Sequence, residues 1–202
     1  MKRLIPLLLL LAIAFSASAQ RFDGAIFVGF NLGQIDGDNS GHYTHFGMHS
    51  AVQTSFALQK NLDSPWRMII ELGVTEKGAN KASTDIKTNL LYVEMPIMAS
   101  YSFLDGNLRL AAGVAPAILA KAKVKEGKMD DPVAAKAYRR MDWIPVCAEI
   151  SYFFAGHYAV NFRFNASMIS IMDNPSKGTY RIFRSNKGAF NNYISLNLGY
   201  RF

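Results

Sequence analysis

Tyr193-Ile194-Ser195-Leu196-Asn197-Leu198-Gly199-Tyr200-Arg201-Phe202 closes the chain with unbroken alternation. Ile194, Leu196, Leu198, Tyr200 and Phe202 fall on one face; Tyr193, Ser195, Asn197, Gly199 and Arg201 fall on the other. Successive side chains of a strand point to opposite faces, so this segment reads as a strand with one apolar and one polar side. It ends on a bare aromatic, where a soluble sheet rarely stops. Apolar-out and polar-in alternation over about ten residues is the pattern of a strand in a membrane barrel.

The same period recurs upstream. Ala25 to Ile35 places Ile26, Val28, Phe30 and Leu32 opposite Phe27, Gly29, Asn31 and Gly33. Further strands are expected at Tyr43–Phe56, Trp66–Lys77, Ile86–Phe103, Asn107–Val124, Met141–Phe154, His157–Ile171 and Phe190–Phe202. That makes eight, an even number and the smallest size of outer-membrane barrel. Leu104-Asp105-Gly106 and Ala155-Gly156 read as tight turns, and Gln59–Pro65 as a somewhat longer one. The other connections, Asp36–His42, Ala79–Asp85, Lys125–Arg140 and Met172–Ala189, are polar and often long. Tight turns at one end and long loops at the other fit an up-and-down barrel with both termini in the periplasm and the loops outside. Two segments depart from this pattern. Ala111–Val124 is alanine-rich and open to a partly helical reading, and Asp131–Arg140 is open to a helical turn. Pro96, Pro116 and Pro145 each remove a ladder donor and are expected at bulges or rims.

The start of the chain fixes the expected compartment. Lys2 and Arg3 precede an apolar run from Leu4 to Phe15, and Ala17-Ser18-Ala19 supplies small residues for cleavage. This is the layout of a secretory signal peptide. The run is too short for a spanning helix, which needs about 20 residues. Residues 1–19 are therefore read as a signal peptide for Sec-type export and 20–202 as one domain. The fold class expected is all-β, an eight-stranded antiparallel up-and-down transmembrane β-barrel.

Composition narrows the function classes. The formal charge is +7, of which Lys2 and Arg3 carry two, leaving +5 on the mature part. The charges are scattered and form no basic stripe, which argues against nucleic acid as a partner. Cys147 is the sole cysteine, so no internal disulfide can hold the fold. Aromatics make up 12% of the chain, which suits lipid-facing girdles; Trp66 and Trp143 are open equally to such a belt and to a place in a core. No later apolar run is long enough for a membrane helix, so only a closed barrel satisfies the backbone in a bilayer.

Candidate sites follow from parity. Ile194, Leu196, Leu198, Tyr200 and Phe202 look like the signal read by the barrel-assembly machinery. Arg67, Glu71, Glu94, Arg109, Glu149, Arg163 and Arg201 are expected to point inward as a lumen charge network. An eight-stranded barrel is filled by its own side chains, so these charges read as a plug and not as an open pore. Lys125, Lys128, Arg139, Arg140, Lys177, Arg181 and Arg184, with Lys136 and Lys187, outnumber the acids Glu126, Asp130, Asp131 and Asp173 in the outer loops; this reads first as a solvated loop surface and otherwise as one suited to outer-membrane lipid and lipopolysaccharide phosphates. His42, His45 and His49 invite a metal, but His45 and His49 on one strand face stand about 13 Å apart and cannot share a zinc. No metal or cofactor is expected. Asp36, Asp38, Ser40 and His42 give the first loop polar groups, yet no nucleophile motif surrounds them, so no catalytic residue is assigned. Two rivals stay open: a soluble periplasmic lipocalin-like carrier of a small apolar ligand, and an outer-membrane enzyme. The carrier needs an apolar interior, against which the inward set Asn161, Arg163, Asn165 and Ser167 argues.

Three internal motifs, with the C-terminus, resemble a known family. Gly29-Phe30-Asn31-Leu32-Gly33-Gln34-Ile35-Asp36-Gly37-Asp38, Glu71-Leu72-Gly73-Val74-Thr75-Glu76-Lys77-Gly78 and Leu91-Tyr92-Val93-Glu94-Met95-Pro96-Ile97 are similar to segments of the PorT-like outer-membrane β-barrel proteins of Bacteroidetes, many of them labelled "porin family". Gly199-Tyr200-Arg201-Phe202 fits as well. The resemblance implies an outer-membrane barrel of OmpA/OmpX-like size in a Gram-negative, Bacteroidetes-like bacterium. Its implied role is structural or interactive, acting through the outer loops. Some PorT-like proteins belong to the type IX secretion system; this chain lacks long extra segments, and that role is not carried over.

Overall fold

The computed structural model describes residues 22–37, 42–58, 64–81, 83–172 and 188–202. The signal peptide read in residues 1–19 lies outside them. Strands β1 (Phe22–Asp36), β2 (His45–Ala57) and β3 (Trp66–Lys81) are continuous. The next three wall strands are each interrupted: β4 (Ile86–Glu94) with β5 (Ile97–Phe103), β6 (Leu108–Val114) with β7 (Ala117–Glu126), and β9 (Met141–Asp142) with β10 (Pro145–Phe154). Short β8 (Met129–Asp130) and helix α1 (Pro132–Lys136) lie between β7 and β9. The wall ends with β11 (Tyr158–Ser167) and β12 (Phe190–Arg201).

Every neighbouring pair is antiparallel and follows chain order. The ring closes where β12 meets β1, with Ala25 opposite Arg201 and Asp36 opposite Phe190. Eight wall strands thus form a closed up-and-down barrel without a free edge, which removes the backbone groups a bilayer could not satisfy. The alanine-rich segment is strand on both sides of Ala115–Pro116, as β6 and β7, and the helical turn forms at α1. Asp131 caps that turn by accepting from the Val133 and Ala134 amides at 3.0 and 2.9 Å, with Pro132 at the first position where no donor is needed.

The prolines correct one expectation. Gly73 faces Glu94 and Ile70 faces Ile97, so no residue is inserted around Pro96. Pro116 likewise sits in continuous register, between the pairs Ile97–Val114 and Glu94–Ala117. Both are inside the wall, away from bulge and rim. Their carbonyls still accept: the Glu71 amide donates to Pro96 at 3.0 Å and the Met95 amide to Pro116 at 2.9 Å. Pro145 does lie beside a bulge, because Ala117 faces Asp142 while Val114 faces Val146, one residue more on the second strand.

The turns also differ in one place from the alternation of lengths. Ala155 and Gly156 both have positive φ, 49° and 76°, the geometry that matches a hairpin to strand twist. At the other end, β3 runs on to Lys81 and β4 starts at Ile86, so the second of the polar connections is short. Cross-strand pairing of Ala79 with Thr88 and Lys81 with Ile86 absorbs it into the sheet.

The outer wall is apolar. Val28, Met48, Val52, Leu72, Ile118, Ile150, Phe162 and Leu198 are all exposed. Aromatic rings gather at the turn end: Trp66 meets Tyr101 edge-on at 4.9 Å, Tyr101 contacts Phe103, and Tyr158 lies against both Phe154 and Tyr200. Trp143 projects from the wall near the loop end of its strand, 61% exposed. An apolar exterior over a polar interior is the reverse of a soluble ligand carrier and the arrangement of a barrel solvated by lipid.

Candidate functional site: a bridged lumen and a basic rim

Inward positions of the wall carry the charged side chains. Arg163 on β11 is fully buried and is gripped from two sides. Its Nη1 and Nη2 donate to Glu71 Oε1 and Oε2 at 2.7 and 2.6 Å, a two-pronged pairing. Its Nε and Nη2 donate to Glu149 Oε2 at 3.2 and 2.7 Å. Gln53 donates to Glu71 at 3.1 Å and accepts from Arg109 at 2.6 Å, and Arg109 approaches Glu149 at 3.5 Å. Toward the loop end lies a second cluster. Glu94 pairs with Lys77 and accepts from the Thr75 hydroxyl at 2.7 Å and the Tyr193 hydroxyl at 2.9 Å. The Lys77 ammonium lies 4.8 Å from the Tyr92 ring centre, and His49 joins the cluster through Thr75 at 2.8 Å.

Position in the ring gives these contacts their meaning. β3 and β11 stand four wall strands apart, diametrically opposite in an eight-strand ring, and Glu71 touches Arg163 directly. Glu94 on β4 and Tyr193 on β12 are also four strands apart and also touch. The lumen is therefore spanned side to side at two levels. Charge is matched as well, with Glu71, Glu94 and Glu149 set against Lys77, Arg109 and Arg163. A buried charge needs such pairing, since an isolated one costs several kcal/mol.

Five of the seven residues assigned to the lumen by parity, Glu71, Glu94, Arg109, Glu149 and Arg163, meet in these clusters. The other two lie at the turn-end mouth. Arg67 pairs with Asp23 at 2.9 Å and donates to Ser55, and Arg201 donates to the Gly156 carbonyl at 2.9 Å and lies over the Phe153 ring. Sequence reasoning missed Lys77. The signal was present, since Lys77 shares the parity of Glu71, Gly73 and Thr75 at the end of the same strand.

Above the charges the lumen changes character. Ile35, Ala79, Leu90, Tyr92, Ala117, Ile171 and Ala189 form an apolar cluster beneath the loops. At the rim, the Tyr43 amide donates to Gln34 at 3.1 Å. The Tyr43 phenol is held above its ordinary pKa by burial and by the Asp36 carboxylate. The basic residues are distributed: Lys125 lies on β7, Lys128 in the β7–β8 turn, and Arg139 and Arg140 between α1 and β9. Arg139 reaches the Ser170 carbonyl at 3.3 Å. Lys177, Arg181, Arg184 and Lys187 lie outside the described residues. His45 and His49 are buried and His42 is exposed, and no group of metal-ligating side chains occurs among the described residues. Ile194, Leu196, Leu198 and Tyr200 face outward along β12, and the Phe202 amide donates to the Gly24 carbonyl at 3.1 Å.

Closed ring, lipid-facing exterior and charged interior together define an eight-stranded outer-membrane barrel. The chain belongs to the outer membrane protein beta-barrel domain family, whose model matches residues 16–173. Among solved structures it is similar to Ail, the attachment invasion locus protein of Yersinia pestis, in complex with the heparin analogue sucrose octasulfate. That match has 11% identity and a TM-score of 0.53, over 90% of this chain and 99% of that one. Neisserial surface protein A is similar at 12% identity and a TM-score of 0.47, over 91% and 97%. OprG of Pseudomonas aeruginosa is similar at 11% identity and a TM-score of 0.46, over 90% and 96%. Identities this low bear on the fold alone. No curated protein matches the sequence.

Proposed function

We propose that this protein is a non-conducting outer-membrane barrel that works through its loop end, as a structural or binding protein and not as an enzyme. The observation that carries this is the double bridge across the lumen, Glu71–Arg163 and Glu94–Tyr193. Ions crossing an eight-stranded bore would have to part these pairs, each desolvated and held by several hydrogen bonds. With the lumen closed, recognition is left to the connections β7–β9 and β11–β12 and to the rim around them. On this reading the loop end faces outward, residues 1–19 direct Sec-type export, and the β12 ladder ending in Phe202 presents the chain to the assembly machinery. The motifs around Asn31, Glu71 and Glu94 support descent from the PorT-like barrels of Bacteroidetes.

The test is planar-bilayer recording on protein refolded into lipid and checked by its heat-shifted band on SDS gels. A silent membrane containing folded protein is the expected result. Stable, stepwise conductance from the folded form overturns the reading. A band that does not shift removes the membrane barrel itself.

A further inference from the structure

The outer wall of β7 changes abruptly above the apolar band. Leu110, Val114 and Ile118 face outward on this wall strand, and then Lys121, Lys123 and Lys125 face the same way. Lys87 on β4 stands directly across from Lys125, Asn89 across from Lys123 and Leu91 across from Lys121. Residues two apart on a strand are separated by about 6.6–6.8 Å, so the lysines form a ladder that climbs from the last apolar row.

A one-residue bulge makes this ladder. Tyr92 faces Leu119 but Leu91 faces Lys121, so Ala120 is extra. Ala117 and Leu119 face the lumen before the bulge, and Ala122 and Val124 face it afterwards. Without the extra residue the three lysines would point into the apolar tier beneath the loops, at prohibitive cost. A bulge re-aims side chains in this way. Three of the cations have acidic neighbours: Lys123 lies 3.4 Å from Asp130, Lys125 stands across from the same Asp130 on β8, and Lys87 lies 3.8 Å from Asp85, all exposed neighbours of small worth. Lys136 of α1 joins Lys121 and Lys123 along a groove that also borders Asp130 and Asp131, and the cations outnumber the acids there.

We propose that Lys121, Lys123 and Lys125, with Lys87, hold the phosphate groups of an anionic glycolipid in the outer leaflet. Height on the wall chooses the ligand. The ladder starts where the apolar band stops, which in a bilayer is the level of headgroup phosphates, and it faces sideways into lipid. Lysines near an anionic surface attract it additively. The inference rests on the loop end facing outward, and it names the molecule that end meets.

The experiment is native mass spectrometry of the folded mature protein in detergent, loaded with bisphosphorylated lipid A or with the same lipid after phosphatase treatment. A sucrose octasulfate competitor is added in a parallel arm. Retention of the phosphorylated lipid, little of the dephosphorylated one and no displacement by the soluble polyanion is the expected result. In the K121Q/K123Q/K125Q variant retention should fall roughly tenfold or more, because each cation removed weakens the attraction separately. Equal retention of both lipids by the unmodified protein overturns the proposal without any variant. Displacement by the soluble polyanion also overturns it, assigning the ladder to a glycan outside the membrane. Because the heat-shifted band is checked in the same sample, a failure here is distinct from failure of the membrane barrel.

Discussion

The two halves of the lumen solve the same packing problem with opposite chemistry. One half is held by ions that find partners across the ring, Arg163 with Glu71 and Glu149 and, nearer the loops, Lys77 with Glu94, above the small apolar cluster of Ala25, Phe27, Phe153 and Ala159 at the turn end. The half toward the loops is filled by Ile35, Leu90, Ala117, Ile171 and their neighbours, as any small core is. The ionic half fixes which strand faces which, because a guanidinium accepts only a narrow set of partner geometries. The apolar half needs only volume, and that leaves it free to adapt to whatever the loops above it do.

Removing one ion should break the comparison hardest. Arg163→Met leaves two carboxylates, Glu71 and Glu149, with only Arg109 beside Glu149 to balance them, and should cost about 3–5 kcal/mol in urea unfolding from lipid vesicles. The double change Arg163→Met and Glu71→Gln, which leaves Glu149 to Arg109, should recover most of that loss, and a double variant no better than the single one would show that packing, not charge, is at stake. Leu90→Ala in the apolar half should cost about 2–3 kcal/mol, since the small neighbours Ala79, Ala117 and Ala189 can partly close the space. Conservative swaps sharpen the contrast. Leu90→Met should cost under about 1.5 kcal/mol, whereas Arg163→Lys should lose far more because an ammonium cannot make the two-pronged bond. Tyr193→Phe removes one donor from Glu94 and should cost about 1–2 kcal/mol, read in the same unfolding curves. At the small end, Asp130→Asn beside exposed Lys123 should change stability by less than about 0.5 kcal/mol, and any change should disappear in high salt.

The sequence announced the barrel because its signal is local. Period two persists across most wall strands, so Ile26–Leu32, Met68–Val74 and Ile194–Tyr200 each declare their outer face independently. Parity also put Glu71, Glu94, Glu149, Arg109 and Arg163 inside, but could not say which would touch. Pairing across the ring depends on how all eight strands are staggered, and no single strand holds that information. Local pattern fails wherever one residue is inserted. Ala120 shifts the parity of everything after it, and alanine looks ordinary in an alanine-rich strand. Pro96 misled for the opposite reason. It is a breaker by chemistry, yet its carbonyl still serves the Glu71 amide and the register passes it unchanged.

The chain has two tryptophans, and the wall separates them. Trp66 sits among Tyr101 and Phe103 at the turn end, while Trp143 projects near the loop end of its strand. The protein thus carries two native optical markers at different depths. With either one replaced by Phe, lipids brominated at graded positions along the acyl chain would report the depth of the survivor. Two such readings would fix how deeply the barrel is immersed for a given tilt, without attaching a label.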